Sequence, residues 1–246
     1  MADTQPRSPL MLPLVGAALL LIGAGTGWAL AGRGVGTAGT GDFDQRVHDY
    51  IVGHPEVLME AADALKSQGS EKLLAQVADK LVTPYPGAVL GNPNGKVTLV
   101  EFTDFACTYC RGSVADVEAL IAANPDLKVV IRELPIITPT SPDAARWGLA
   151  AAQQGKYPAF HKAMFAAGRT DPASIEAAAR AAGLDLDRAR KAIADPRVTA
   201  EIAANLDYAR RLQISGTPSW VAGKQLIVGA VGREQLARAL AAARES

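Results

Sequence analysis

"VEFTDFACTYCRG", residues 100–112, decides how the rest of the chain is read, because it holds both cysteines of a 246-residue sequence, Cys107 and Cys110. Two thiols separated by two residues fit a structural staple, half of a metal site, or a redox couple. The residues just before them, "KVTLVEFTDF", predict a buried strand, and the pattern from Cys107 to about Ala123 is helical. Cys107 therefore falls where strand gives way to helix, at the point where unpaired backbone N–H groups and the positive end of the helix dipole face its sulfur. Both favour thiolate over thiol, which makes Cys107 the expected nucleophile. Cys110, one turn further on and on the same face, is within disulfide reach and shielded, as a resolving thiol requires. Glu101 lies six residues before Cys107 on an otherwise apolar strand. It either faces water at a sheet edge or sits beneath the thiols, where desolvation would raise its pKa and let it take the proton of Cys110. Asp104 reads as a helix cap or a solvent-facing residue.

The N-terminus bears on the choice among these roles. From Ser8 to Gly32 the chain carries no charge, with Arg7 and Arg33 as flanks. That run is long enough to cross a bilayer as a helix. Ala29-Leu30-Ala31 has the small-x-small form of a signal cleavage site, so residues 1–33 are expected to be a transmembrane anchor or a signal peptide. Either way the remainder is exported, to the periplasm or another extracytoplasmic space, tethered to the inner membrane or released. Structural disulfides in such compartments close long loops and come several to a small domain. One pair two residues apart closes almost nothing, so a staple explains it poorly. Structural zinc needs four ligands, of which the cysteines supply two. His48 and His54 would lie about 240° apart around a helix, and His161 stands alone as a core or helix-surface residue. No metal site is expected, although two-coordinate Cu(I) on the thiols stays open as an alternative, as does a non-catalytic tethered interaction protein. The 25 Lys+Arg balance 25 Asp+Glu, so nothing points to nucleic acid.

Residues 34–41, "GVGTAGTG", read as a flexible linker. Residues 42–82 are helical in pattern, with Phe43, Val47, Tyr50, Leu58, Ala61 and Leu65 forming one stripe and Leu73, Leu74, Val77 and Leu81 continuing it. Such a stripe packs either on the main domain or on copies of itself. Residues 83–95 read as a linker with a turn at Asn94-Gly95. "LKVVIRELPI" predicts a strand ended by Pro135. A helical stretch over about 142–212 follows, in which Asp171-Pro172 has the form of a helix start. "SWVAG" and "QLIVGA" predict two short strands, and "REQLARALAAAR" a last helix. The sum is a two-layer α/β plan with helices covering a small mixed sheet.

The second half of the site is expected in "ISGTPSW", residues 214–220. A cis bond before Pro218 would leave the Thr217 backbone free to pair with an extended substrate beside the sulfur; an ordinary trans turn is the plainer alternative. Taken together, the strand-Glu-x5-Cys-x-x-Cys-helix unit, the helical insert and Gly-Thr-Pro before the last hairpin resemble the DsbA-like branch of the thioredoxin superfamily over residues 85–246. The resemblance implies a thioredoxin fold with an all-helical insertion, a cis Pro218, a buried Glu101 and no cofactor. It also implies an enzyme that exchanges disulfides with exported proteins and is recharged by a membrane or soluble redox partner. "VHDYIVGHPEVLMEAADAL" resembles the leading helix of ScsC-like members, some of which form oligomers through it, so a homo-oligomer through residues 42–82 is expected. Thr108, Tyr109, Thr217 and Trp220 are the expected substrate-binding residues. Thr108-Tyr109 stands where the strongly oxidising members carry Pro-His, so Cys107 should be less acidic than theirs. Oxidase, isomerase and reductase remain open.

Overall fold

The centre of the molecule is a five-stranded sheet in the order β1-β3-β2-β4-β5, built from β1 (Val89–Gly91), β2 (Val97–Thr103), β3 (Leu127–Glu133), β4 (Ser219–Ala222) and β5 (Gln225–Val228). It belongs to a computed structural model that describes residues 40–245. The segment expected to be an anchor or signal peptide, and nearly all of the expected linker, lie outside the described residues. Only β2 and β3 run parallel; the other three pairings are antiparallel. β1 lies inside the stretch read as a linker. Its three residues are too few to display a period, and it exists because Val89 finds Val130 across the sheet.

The run from Val97 to Thr103 is almost wholly buried because β2 has neighbours on both edges and cover on both faces. Leu99 faces one core together with Val129, Ile131 and Trp220. This side is covered by α3 (Thr108–Ala123), by α9 (Gly232–Glu245) and by most of a helical insertion. The insertion consists of α4 (Ser141–Gln153), α5 (Tyr157–Ala167), α6 (Pro172–Ala181), α7 (Leu186–Ile193) and α8 (Pro196–Arg211). Val100 and Phe102 face a second core with Val130, Ala209, Leu212 and Leu74, Val77 and Leu81. The architecture is thus three layers, not two: a strand buried on both faces shows no apolar–polar alternation to reveal that it needs two covers. The insertion starts its helices as the sequence suggests. The Asp171 carboxylate accepts from Ser174 N at 3.0 Å and that of Asp195 from Arg197 N at 2.9 Å, each just before a first-turn proline.

Two helices precede the sheet, α1 (Thr40–Gly53) and α2 (Glu56–Leu81). α1 starts two residues inside the expected linker. The chain divides into two compact units after Ala62. In the first, Phe43, Val47, Tyr50 and Leu58 are exposed. In the second, Leu65 is exposed whereas Leu74, Val77 and Leu81 are buried. No helix among the described residues is long and apolar enough to cross a membrane. The C-terminus of α2 is held by Arg132, which is buried on the same face of the sheet as Phe102. Its guanidinium donates to the carbonyls of Lys80, Leu81 (2.9 Å) and Thr83 (2.6 Å), pairs with Glu201 at 2.7 Å and lies over the Tyr208 ring. A cation at the end of the helix satisfies carbonyls that have no partner within it.

Candidate active site

Cys107 is the N-cap of α3, with extended backbone at φ −80° and ψ 119°. Its N–H donates to Asp104 O at 2.9 Å, and its sulfur accepts from Cys110 N at 3.4 Å. Across the site the peptide bond between Thr217 and Pro218 is cis. The Thr217 carbonyl turns to the sulfur and accepts from Cys107 Sγ at 3.1 Å. Both cysteines are free thiols. Cys107 keeps 5% of its surface and Cys110 1%. The two residues between them, Thr108 and Tyr109, are exposed, Tyr109 at 70%. The nucleophile candidate therefore keeps a sliver of exposed surface two residues from an exposed aromatic side chain, while its partner is sealed.

Beneath the pair lies a buried acidic floor. Glu101 is buried, and desolvation pushes its carboxyl up to about 8, with a smaller opposing pull from the Thr103 hydroxyl. Burial also pushes the Cys110 thiol up, and the negative charge of Glu101 adds to the effect. Glu133 pairs in register with Thr103 on the neighbouring strand and is likewise buried. Tyr157 donates its hydroxyl to Glu133 Oε1 at 2.6 Å, and burial raises both groups above their ordinary values. The helix above them can approach because position 148 is glycine: a Cβ there would lie 2.8 Å from Glu133 Oε1 and 3.1 Å from the Phe105 ring.

His161, one turn after Tyr157, is buried against Phe105, Tyr157 and Phe165 and so belongs to the core. Desolvation lowers its pKa from 6.5 to about 4. The folded state therefore refuses a proton that the unfolded chain binds, and stability falls as pH drops through the window from 6.5 to 4. His161→Leu is expected to unfold at a lower pH than the parent protein in an acid titration followed by circular dichroism; coincident acid transitions would contradict this.

The residues expected at the site meet there with one exception. Cys107, Cys110, Glu101, Thr217 and Pro218 converge, and Thr108 and Tyr109 stand at the rim. Trp220 does not belong to the substrate surface. It has no exposed surface, pairs with Glu101 on one side and Ile227 on the other, and donates Nε1–H to Gly229 O at 2.9 Å. β4 is an inner strand, so an indole on it packs in the core. Asp104, taken for a cap or a solvent-facing residue, does cap the turn at Ala106 N but is fully buried. Glu133 and Tyr157 were not anticipated; a charged residue closing a buried strand, as in "VIRE", was the available signal.

Residues 98–241 match the DSBA-like thioredoxin domain. The chain belongs to this family. Residues 40–72 match a second family, described as the copper resistance protein ScsC N-terminal domain. A thioredoxin-like oxidoreductase of Silicibacter pomeroyi is 42% identical, superposes with a TM-score of 0.65, and covers 68% of this chain and 98% of its own. The thiol-disulfide exchange protein alpha-DsbA2 of Wolbachia pipientis is 26% identical with a TM-score of 0.66, over 72% of this chain and 97% of its own. A Na(+)/H(+) antiporter NhaA of Salinispora arenicola is 33% identical over 165 residues, which are 66% of this chain. The chain spans only 25% of that relative's length. For this member of the DSBA-like family the fold is a thioredoxin-like α/β domain.

Proposed function

We propose that the protein exchanges disulfides with exported protein substrates, with Cys107 as nucleophile and Cys110 as resolving thiol. The observation that carries this reading is one sulfur held between the Cys110 N–H and the Thr217 carbonyl of the cis-proline turn. When the pair is oxidised, a substrate thiolate attacks Cys107 Sγ. The Cys107–Cys110 bond breaks, and Cys110 leaves as a thiolate that takes the proton of Glu101. A second substrate thiolate then attacks the sulfur bonded to Cys107, which departs with its electron pair, and the substrate gains the disulfide. Run backwards with Glu101 as base, the same steps reduce or shuffle a substrate disulfide, so net direction follows the partner that recharges the pair. The test is Cys107→Ser, which is expected to abolish insulin-disulfide exchange. Residual exchange at the parent rate would remove Cys107 from this role.

Location outside the cytoplasm is part of this proposal and is supported by the likeness to a periplasmic thioredoxin-like protein of Salmonella enterica. Tethering through residues 1–33 is part of the same proposal. Residues 42–82 are proposed to join copies of the chain. Phe43, Val47 and Tyr50 recur at helical spacing on α1, Leu58 and Leu65 stand seven apart on α2, and all five are exposed. Deleting residues 42–65 is expected to reduce the mass measured by light scattering to that of one chain; an unchanged mass would rule these five residues out as the joint.

A second reading is favoured by the description of the family matched at residues 40–72: the two thiols bind Cu(I). Among the described residues no cluster of three or more His, Cys, Asp or Glu side chains could hold a metal, so copper would have only the two sulfurs, which suits its linear coordination. Titration with Cu(I) against a competing chelator separates the readings, because tight stoichiometric binding lost in Cys110→Ser supports copper.

A further inference from the structure

A cavity of about 140 Å³ opens between α3, α5 and the end of β1, and neither cysteine lines it. Its α3 wall is Val114, Val117 and Ile121, spaced three and four apart and so on one face of the helix. Leu90 and Pro158 complete an aliphatic lining. Gly91 lets the strand end come this close: its φ is +74°, and a Cβ there would lie 3.2 Å from Ile121 Cγ1. At the solvent side Lys162 Nζ donates to Glu118 Oε1 at 3.1 Å, so the two exposed charges of the lining satisfy each other.

The remaining lining residue is His161. It is buried, and its Nε2 has no hydrogen-bond partner among the described residues. Desolvation keeps it neutral at pH 7, with its pKa lowered to about 4. An unpartnered buried polar atom is costly, and a water molecule held there would need two to four polar partners. The only other polar side chains of the lining, Glu118 and Lys162, are paired with each other. An organic ligand with a single polar group meets the same nitrogen and also covers the aliphatic walls. The volume is close to the roughly 150 Å³ of an apolar cavity that accepts benzene. A neutral imidazole offers a donor or an acceptor at Nε2 according to its tautomer, and a hydroxyl answers either. A carboxylate would shed its water with no free cation to replace it, so it is disfavoured. We infer that this cavity binds a neutral aromatic ring carrying one hydroxyl, a monocyclic phenol, with the hydroxyl on the His161 imidazole and the ring between α3 and α5.

The experiment titrates the full chain at pH 7 with phenol, benzene and benzoate, following the methyl resonances of Leu90, Val114, Val117 and Ile121. Phenol is expected to shift them saturably, with a Kd about tenfold below that of benzene, the worth of one hydrogen bond to a buried group. Benzoate should shift none of them. His161→Leu, which puts an apolar side chain at a core position, should erase the advantage of phenol while benzene still binds. His161 packs against the rings of Phe105, Tyr157 and Phe165, so a variant elsewhere provides the second route. Val114→Phe fills the cavity from the α3 side and should abolish saturable binding of both ligands. Phenol shifts that do not saturate, equal affinities for phenol and benzene in the parent protein, or undiminished phenol binding in His161→Leu would each overturn the inference. None of these results would bear on thiol–disulfide exchange, because the cavity does not include the cysteines.

Discussion

Cys110→Ser will collect substrate proteins on Cys107 as stable mixed disulfides, visible as extra bands on a non-reducing gel that vanish on reduction. The expectation follows from where the two sulfurs sit. Cys110 N lies 3.4 Å from Cys107 Sγ, so the resolving thiol is one helical turn from the bond it must attack. A correctly placed intramolecular nucleophile acts at effective concentrations far above those of free thiols. Replacing it with a hydroxyl should slow release of the covalent partner by on the order of 10³ or more. The double variant Cys107→Ser with Cys110→Ser should trap nothing. If Cys110→Ser released partners as fast as the parent protein, an external thiol would be the resolving agent, and Cys110 would be a bystander.

Much of the site was legible in the sequence because its parts are local. A strand, two cysteines and a helix follow one another within thirty residues, so Cys107 at the helix mouth could be placed from spacing alone, whereas spacing left Glu101 either at a sheet edge or beneath the thiols. The turn holding Pro218 was legible only through resemblance, since spacing does not distinguish a cis bond from a trans one. The residues that escaped notice depend on pairings between distant parts of the chain. Asp104 reads as an ordinary cap until Ile136 and Ile137, 32 and 33 residues away, are seen to donate to it. Arg132 looks like an interruption in a strand until the C-terminus of α2, 51 residues earlier, brings its carbonyls to the guanidinium. Trp220 was misplaced for a related reason. A short apolar strand does not reveal whether it is an edge or an inner strand, and only the register with Glu101 and Ile227 shows that its indole is enclosed.

Glu101→Gln should make the protein more stable and less able to resolve its mixed disulfide, and the two effects should have opposite value to the cell. Desolvation raises the Glu101 pKa from 4.5 to about 8. Between those two values the folded state holds a proton that the unfolded chain has released. Stability is therefore full below about 4.5, declines as pH rises through the window, and is lowest above 8. A shift of that size corresponds to roughly 5 kcal/mol at the alkaline limit. Glu101→Gln should match the parent protein in urea melts at pH 4 and exceed its stability by several kcal/mol at pH 9. The functional consequence has the opposite sign. Cys110 is held as a thiol by burial, and a nearby base able to take its proton is worth about 10²–10⁴ in rate. In the parent protein, release of a preformed mixed disulfide should accelerate with rising pH and level off above about 8, where Glu101 is ionised. In Glu101→Gln that inflection should disappear and release at pH 7 should slow by about a hundredfold. A stability difference that stayed constant from pH 5 to pH 9 would mean that the carboxylate is not desolvated. An unchanged release profile would mean that the proton of Cys110 leaves by another route.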